Sequence, residues 1–469
     1  MIFEIIGSRV LGPYLGTSIF VWTGLIGIVL GSLSLGYWIG GKIADKNPKL
    51  QKLSRIIFLA GMLILITAFT KEWILVFIQS NVKSIKLGSV VAAISLFAPA
   101  SVALGIVSPY AAKLRIHDLQ NSGSAVGNLY AISALGSILG TFAAGFFLIP
   151  LLGTTNILYA LSICLIAVAF ILSLRKNLFM KMSGLLAIAA LSFVQPKAAF
   201  IDLDTQYNRV SIYTLEDEEL GEKVKYMRIN NQGSSAMFVE SDELVLKYCR
   251  FYKLAEHFNP GFKNALMIGG AAYSFPKDYI KSYPEATIDV VEIDPELTEL
   301  AKKHFRLKEH PNLRIFHEDG RTFLNRTDEK YDLYYGDAFK SIYSIPFHLT
   351  TTEAVEKISN RLNENGVAMV NILASISGEK SKFLQAEWAT FKIHFPQVYL
   401  FPIDFPDDPN RFQNIVLVAL KTDETPFFKS MNPEFDELLQ HRWKGEFEDN
   451  DLILTDDFAP VEFLVQQAI

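Results

Sequence analysis

Five stretches of mostly apolar residues, all before residue 200, constrain this chain more than any other feature. They run from about 18 to 40, 55 to 78, 88 to 110, 127 to 150 and 154 to 174. A helix of about 20 such residues matches the hydrocarbon thickness of a bilayer, so residues 1–200 read as a multi-pass transmembrane helical bundle with the lipid bilayer as its partner. Lys71 and Glu72 interrupt the second stretch, which places its C-terminal end at the interface. Gly24, Gly27, Gly31, Gly36 and Gly40 recur in the first stretch, and Gly136, Gly140, Ala144 and Gly145 in the fourth. Small residues at such spacing let helix backbones approach closely in lipid. A packed bundle explains this pattern without a transport path, and no convincing mid-span carboxylate or basic residue marks a substrate route.

Loop charges give the orientation. Lys42, Lys46, Lys49, Lys52 and Arg55 follow the first span, Lys113 and Arg115 the third, and Arg175, Lys176 and Lys181 the fifth. These loops are expected in the cytoplasm, and the uncharged stretch from Gly153 to Asn156 on the outer side. A sixth apolar segment, about 182 to 195, is short. If it spans, the rest of the chain lies outside the cytoplasm; if it lies in the interface, the rest stays inside. Its length and the following Pro196-Lys197-Ala198-Ala199 leave both open. The opening MIFEIIGSRVLGPYLG is too polar and too short for a span and reads as the tail of a helix.

Beyond residue 200 the composition is that of a globular protein. A net charge of −5 over 469 residues gives no sign of a nucleic-acid partner. The two cysteines, Cys164 and Cys249, exclude a disulfide framework and a structural zinc site, and no metal is expected. Thr205 to Leu215 and Glu222 to Asn230 alternate apolar and polar residues around Gly221, as a β-hairpin does. A strand near Ala236 to Val239 and a helix from Leu244 to His257 complete a cap at 201–260.

The stretch Asn264 to Asp294 then reads as a βαβ unit. Ala265 to Ile268 ends in Gly269-Gly270, a helical segment follows, and Ile288 to Ile293 ends in acidic residues. The turn lacks the third glycine of a full dinucleotide fingerprint, but its small residues allow close approach of a ligand to the backbone. Glu292 stands about 20 residues further on, where an acidic side chain accepts from ribose hydroxyls. PELTELAKKHFRL is a helix opened by proline. NLRIFHED, YDLYYGDAF, GVAMVNIL, VYLFPIDF and NIVLVALK are further strands, with helices at Thr352 to Leu362 and Ser381 to His394. This alternation predicts a parallel sheet covered on both faces, with ligands beyond the C-terminal strand ends. Glu292, Asp319 with Gly320, and Asp337 all fall there. Asp319 before GRTFL also suits a helix N-cap; Asp337, before the irregular AFKSIYSIP, does not.

From Tyr207 to Glu462 these residues resemble the spermidine synthase (polyamine aminopropyltransferase) family. The likeness lies in the β-cap, IGGAAYSFP, VEIDP, the aspartate of HEDGR, YDLYYGDAF, IPFHLTTTEAVEKISNRLNENGVAMVNI and TDDFAPVE. The first half, with EIIGSRVLGPYLG and GYWIGGKIAD, is similar to the bundle of a bacterial subgroup described as transporter-synthase fusions. The resemblance implies transfer of an aminopropyl group from decarboxylated S-adenosylmethionine to a small amine such as putrescine. It implies Asp337 as the catalytic group that orients the amine and takes its proton. It further implies Glu292 on the ribose, Asp319 on the adenine amino group, and Gly269, Gly270 and Gly320 around the nucleoside. Asn208 stands where the family has a cofactor-contacting glutamine. Three departures count against putrescine itself. Ala272 replaces the aspartate of a GGGDG turn, Leu246 replaces a tyrosine beyond Asp242 and Glu243, and only Asp337 remains of an acidic pair before Phe339 and Lys340.

The expected fold is therefore an all-α transmembrane bundle (1–200), a small N-terminal antiparallel β-cap with a linking helix (201–260) and an α/β, Rossmann-like, methyltransferase-type sheet (261–469). The location is a bacterial-type cell membrane, and a homo-oligomer is compatible with such a chain. Beside the leading reading stand an S-adenosylmethionine-dependent transferase acting on another nucleophile, and a nucleoside- or polyamine-sensing domain that regulates the bundle.

Overall fold

The computed structural model describes residues 1–82, 84–116, 122–172, 200–218, 221–338, 345–445, 447 and 452–468. The chain divides into two compact units, Met1–Ala199 and Phe200–Ile469.

The first unit is helical: α1 (Ile2–Leu15), α2 (Ile19–Lys46), α3 (Leu50–Asn81), α4 (Ile85–Leu96), α5 (Ala98–Arg115), α6 (Ser122–Ala143) and α7 (Ile149–Leu172). Helix α1 buries Phe3, Ile6, Val10, Leu11 and Leu15 in a core shared with α2, α3 and α4. Among the described residues, three helical stretches are long and apolar enough to cross a membrane: Ile19–Lys46, Leu50–Asn81 and Gly123–Leu172. The last contains the fourth expected span, with a π-helical turn at Ala144–Leu148 inside it, and the fifth as far as Leu172, the two meeting at Gly153, whose φ of 70° lies outside the helical region.

The third expected span is not one straight helix. α4 and α5 meet at a bend of 54°. Pro99 explains it, because it has no N–H to donate and its ring would strike the carbonyl one turn back in a continuous helix. Lys71 also departs from expectation. It is buried in α3, not set at an end, and its ammonium donates to Thr155 Oγ1 at 2.7 Å. Gly36 on α2 faces Gly105 on α5 so closely that an added Cβ would stand 2.9 Å from the Gly105 Cα. Lys113 and Asp45 pair at 2.8 Å, so the basic ends of α5 and α2 adjoin. The sixth apolar segment lies outside the described residues.

The second unit opens with an antiparallel sheet, β1 (Ile201–Asp204), β2 (Arg209–Asp217), β3 (Glu222–Ile229) and β4 (Gln232–Phe238), in that order. It has one strand more than expected, since Ile-Asp-Leu-Asp is too short to show a period, and β4 begins earlier because its first half is polar. In place of one helix from 244 to 257 there are two short ones, Lys247–Phe251 and Leu254–Phe258, and Leu244 bridges back to Met237.

The main sheet has seven strands, β5 (Asn264–Ile268), β6 (Thr287–Val291), β7 (Leu313–Phe316), β8 (Tyr331–Gly336), β9 (Leu362–Ala374), β10 (Gln397–Pro402) and β11 (Gln413–Leu420), in the order β10-β11-β9-β8-β5-β6-β7. β5 to β9 are parallel, but β11 runs antiparallel to both β9 and β10. The sheet is thus mixed: no helix separates β10 from β11, and parallel neighbours need a crossover of that kind. Period-2 alternation distributes the core. Ala265 and Met267 face one hydrophobic cluster, Leu266 and Ile268 the other, so helices cover both faces.

Candidate active site

Four adjacent strands, in the order β8-β5-β6-β7, bring the expected residues to one edge, because each carries its chemistry at its C-terminal end. Gly269 follows β5 with φ of 98°, and its N–H donates to the Val291 carbonyl at 2.9 Å. A Cβ added there would overlap the Asp337 carbonyl. Glycine is therefore required by the neighbouring strand end itself. Gly270 has a second reason: its Cβ would lie 2.7 Å from the ring of Tyr273. The turn also holds Ala271 and Tyr273 at φ of 46° and 58°, a left-handed backbone uncommon for residues with a side chain.

Glu292 is buried, and its oxygens collect the amides of that turn. Oε2 accepts from Gly270 N at 2.9 Å and Ala271 N at 3.0 Å; Oε1 accepts from Asp294 N at 3.0 Å. Burial pushes its pKa up, and the three amides offset part of the rise. A carboxylate offers about four lone pairs, so one remains on Oε1 for a hydroxyl donor. Asn208 is tied into the same corner. Its Nδ2 donates to Asp294 Oδ2 at 2.9 Å, where Thr205 Oγ1 also donates at 2.5 Å, and its Oδ1 accepts from Asn230 at 2.8 Å. The cap is thereby fastened to the end of β6.

Asp319 caps the helix Gly320–Arg326, its Oδ1 accepting from Thr322 N at 3.0 Å, and its Oδ2 lies 3.1 Å from His348 Nε2. Burial pushes its pKa up, but the Thr322 amide and His348 outweigh that and hold the carboxyl below its ordinary range. Gly320 packs against β5, where a Cβ would meet Ile268 at 2.5 Å. Arg321 donates to the His348 carbonyl at 3.1 Å and to Asp456 at 2.8 Å, joining the C-terminal TDDFAP segment to this side of the site.

Asp337 stands at the end of β8, its N–H donating to the Ile268 carbonyl at 2.9 Å. Tyr248 donates its hydroxyl to Oδ2 at 2.9 Å, and Asn371 on β9 donates Nδ2 to Oδ1 at 3.2 Å. The side chain keeps a little solvent contact yet sits deep, and burial raises its pKa to about 6, against the lowering effect of both donors. A carboxylate that titrates there is free at neutral pH to accept a proton. Sequence reasoning missed both partners. Tyr248 lies two residues beyond Leu246, where the family pattern placed a tyrosine, and Asn371 reads as an ordinary polar residue in a strand. Phe339 and Lys340 lie outside the described residues.

Ala272, where the resemblance placed an aspartate, is fully buried beneath the cap; its N–H donates to Ser235 Oγ at 3.2 Å. No side-chain charge is available at that point. Among the described residues, no group of three or more His, Cys, Asp or Glu is arranged to hold a metal ion.

Comparison with known proteins finds likenesses over the second unit and beyond it. Residues 250–426 match the spermine/spermidine synthase domain. The polyamine aminopropyltransferase of Vibrio vulnificus is 27% identical over 238 residues, covering 48% of this chain and 77% of that protein. The polyamine aminopropyltransferase of Leptospira interrogans is 21% identical over 410 residues, covering 81% of this chain and 78% of its own. That likeness is longer than the second unit alone and reaches into the helical one. A crystal structure of a probable spermidine synthase from Corynebacterium glutamicum superposes with a TM-score of 0.44 at 20% identity, over 53% of this chain and 87% of that one.

Proposed function

We propose that this chain, whose residues 250–426 match the spermine/spermidine synthase domain, is a membrane-anchored aminopropyltransferase. Its co-substrate is decarboxylated S-adenosylmethionine and its acceptor a small amine. The observation that carries this reading is Asp337: a recessed carboxylate titrating near 6, both oxygens held, beside a glycine turn backed by Glu292.

An amine attacks through its lone pair, and at neutral pH it arrives as an ammonium, so a base must remove a proton. Asp337 is that base. Tyr248 and Asn371 fix the plane of its carboxylate, leaving a second lone pair on each oxygen for the amine. The nitrogen forms a bond to carbon, the carbon–sulfur bond breaks with its electrons leaving on sulfur, and the proton passes to Asp337. The sulfonium co-substrate supplies the electrophilic carbon and a neutral leaving group. Glu292 accepts one ribose hydroxyl at its remaining lone pair, and Asp319, held by His348, accepts from the adenine amino group. Asn208 acts on the nucleoside corner through Asp294.

The helical unit anchors the enzyme in lipid. Trp22, Ile26, Leu30, Trp73, Phe77, Leu139 and Phe146 expose large apolar side chains, an arrangement that suits acyl chains and not water. The Lys113–Asp45 pair fits loops after the first and third spans on one side of the bilayer.

Incubating the purified chain with labelled co-substrate and a panel of amines, and identifying the product, tests the reading directly. Transfer of an aminopropyl group supports it. The buried Ala272 favours one second reading, S-adenosylmethionine-dependent transfer to another nucleophile, because no carboxylate is placed to favour the decarboxylated form. Tighter calorimetric binding of the carboxylated form would choose that reading instead.

A further inference from the structure

Arg321 follows Asp319 by two residues, in the helix Gly320–Arg326, and its guanidinium gathers partners from two distant segments. Nη1 donates to the His348 carbonyl at 3.1 Å and to Thr351 Oγ1 at 3.2 Å, and Nη2 donates to Asp456 Oδ2 at 2.8 Å. Thr351 closes the ring by donating to Asp456 Oδ1 at 2.6 Å. Its hydroxyl also accepts from Ala354 N as the cap of the helix Thr352–Arg361, so its one proton and both lone pairs are engaged. Asp456 is held from its backbone as well. Its N–H donates to Glu353 Oε2 at 2.9 Å, and it sits in a turn whose ends, Thr455 and Phe458, exchange backbone hydrogen bonds at 3.1 Å. Leu454, fully buried, accepts from Thr352 N at 2.7 Å and donates to Thr390 Oγ1 at 3.1 Å. The segment 454–458 is thereby fastened to the helices Thr352–Arg361 and Lys382–Lys392.

The network ends on Asp319. Arg321 holds the His348 carbonyl, and the ring of that same histidine brings Nε2 to 3.1 Å from Asp319 Oδ2. Burial raises the Asp319 pKa, but the Thr322 amide, His348 and the Arg321 amide together lower it further. The carboxylate is therefore ionised, and the nitrogen facing it donates. Three donors meet about four lone pairs, which leaves one place for a donor from outside. An exocyclic amino group fills that place, whereas a ring carbonyl would set a second acceptor against the charge. The Arg321–Asp456 pair is 13% and 47% exposed at its two side chains, and ion pairs so open to solvent add little to stability. Its effect is geometric, because the guanidinium that holds Asp456 also holds the backbone of His348. We propose that Asp456, acting through Arg321 and His348, makes the segment 454–458 a latch that positions Asp319 for a 6-aminopurine. Selectivity for adenine over a 6-oxo base then depends on a carboxylate three contacts away from the base. The proposal rests on the reading of Asp319 as the partner of the adenine amino group. Asp456 and Arg321 are positioning residues in it.

The test measures, by calorimetry on the full chain in detergent, the affinity for 5′-methylthioadenosine and for 5′-methylthioinosine, which carries an oxo group in place of the amino group. The parent is expected to prefer the amino form by at least about tenfold, as one hydrogen bond to a charged group implies. Asp456→Ala should reduce that ratio by roughly threefold or more, as a misdirected hydrogen bond implies, with the affinity for 5′-methylthioinosine unchanged. Asp456→Glu, which keeps a carboxylate at a half-exposed position, should retain the ratio. In an Arg321→Met background Asp456→Ala should change nothing further, because the latch acts through that guanidinium. An equal fall for both nucleosides in Asp456→Ala, the same loss in Asp456→Glu, or an added loss in the double variant overturns the latch. Asp319→Asn separates the latch from the reading beneath it. If the ratio survives Asp319→Asn, or the parent shows no preference, Asp319 is not the adenine partner and the latch falls with it. If the ratio collapses in Asp319→Asn but stands in Asp456→Ala, that reading holds and the latch alone falls. None of these measurements needs turnover, so they do not depend on whether an amine is alkylated.

Discussion

Replacing Asp337 by asparagine separates two consequences of one buried charge. Its carboxyl titrates near 6 in place of the ordinary 3.8, a rise of about two pKa units at about 1.36 kcal/mol each. With allowance for its slight solvent contact, the ionised form costs the folded state roughly 2–3 kcal/mol. The sign follows from proton linkage. The folded protein keeps this proton to higher pH than the unfolded chain does, so the stability it contributes is fully present below about pH 4 and is lost as pH rises through 6. Asp337→Asn carries no such charge. Its new amide keeps the network, accepting from Asn371 at oxygen and donating to a Tyr248 hydroxyl that rotates to accept. The variant should therefore unfold later than the parent at pH 8, with about a third of that margin left at pH 4.5, followed by the near-ultraviolet signal of Tyr252, Tyr273, Tyr279 and Tyr335, all fully buried. Turnover should meanwhile fall by about 10²–10⁴-fold, the usual contribution of a positioned base. A variant no more stable than the parent at pH 8 would refute the burial argument; retained turnover would refute the role as base.

Tyr248→Phe removes a donor that lowers the Asp337 pKa, so the acidic limb of the pH–rate profile should move to higher pH and kcat/KM at pH 7 drop by roughly tenfold, as loss of one charge-assisted hydrogen bond implies. An unmoved limb would show that the phenol does not hold the base. Gly269→Ala forces a Cβ into the Asp337 carbonyl at a backbone angle alanine avoids; a loss of more than about 1 kcal/mol in denaturant titration is expected, with nucleoside binding lost at the same time. In the helical unit, Gly36→Leu cannot be accommodated against Gly105 without parting α2 from α5, and thermal aggregation in detergent should begin several degrees lower, whereas Gly27→Leu, where an added Cβ meets nothing within 4 Å, should leave it unchanged.

The features legible in the sequence were those written into local pattern. The short apolar runs of β5, β6 and β8, the glycines at the β5 turn, the proline opening the helix after Asp294 and the acidic strand ends all carry their own explanation, and the structure sets those strands side by side. What escaped depends on contacts between distant segments. Tyr248 and Asn371 are separated from Asp337 by 89 and 34 residues, and no spacing rule connects them. The antiparallel edge was hidden because β10 and β11 read alike in either direction, and the bend at Phe97 because hydropathy averages over Pro99. Lys71 was read as an interruption because a buried cation is visible only once Thr155 is beside it.

Asp294 meets Thr205, Asn208 and, through its own amide, Glu292. That knot makes the four-stranded cap a lever whose pivot is the nucleoside-facing carboxylate. A hydroxyl that tugs on Glu292 must also pull on Asp294, and the strain is passed to the β1–β2 corner. A nitroxide placed near Gly221, at the start of β3, should therefore sharpen or broaden its spectrum on nucleoside binding, and severing the knot with Asn208→Ala should silence that signal before it weakens binding.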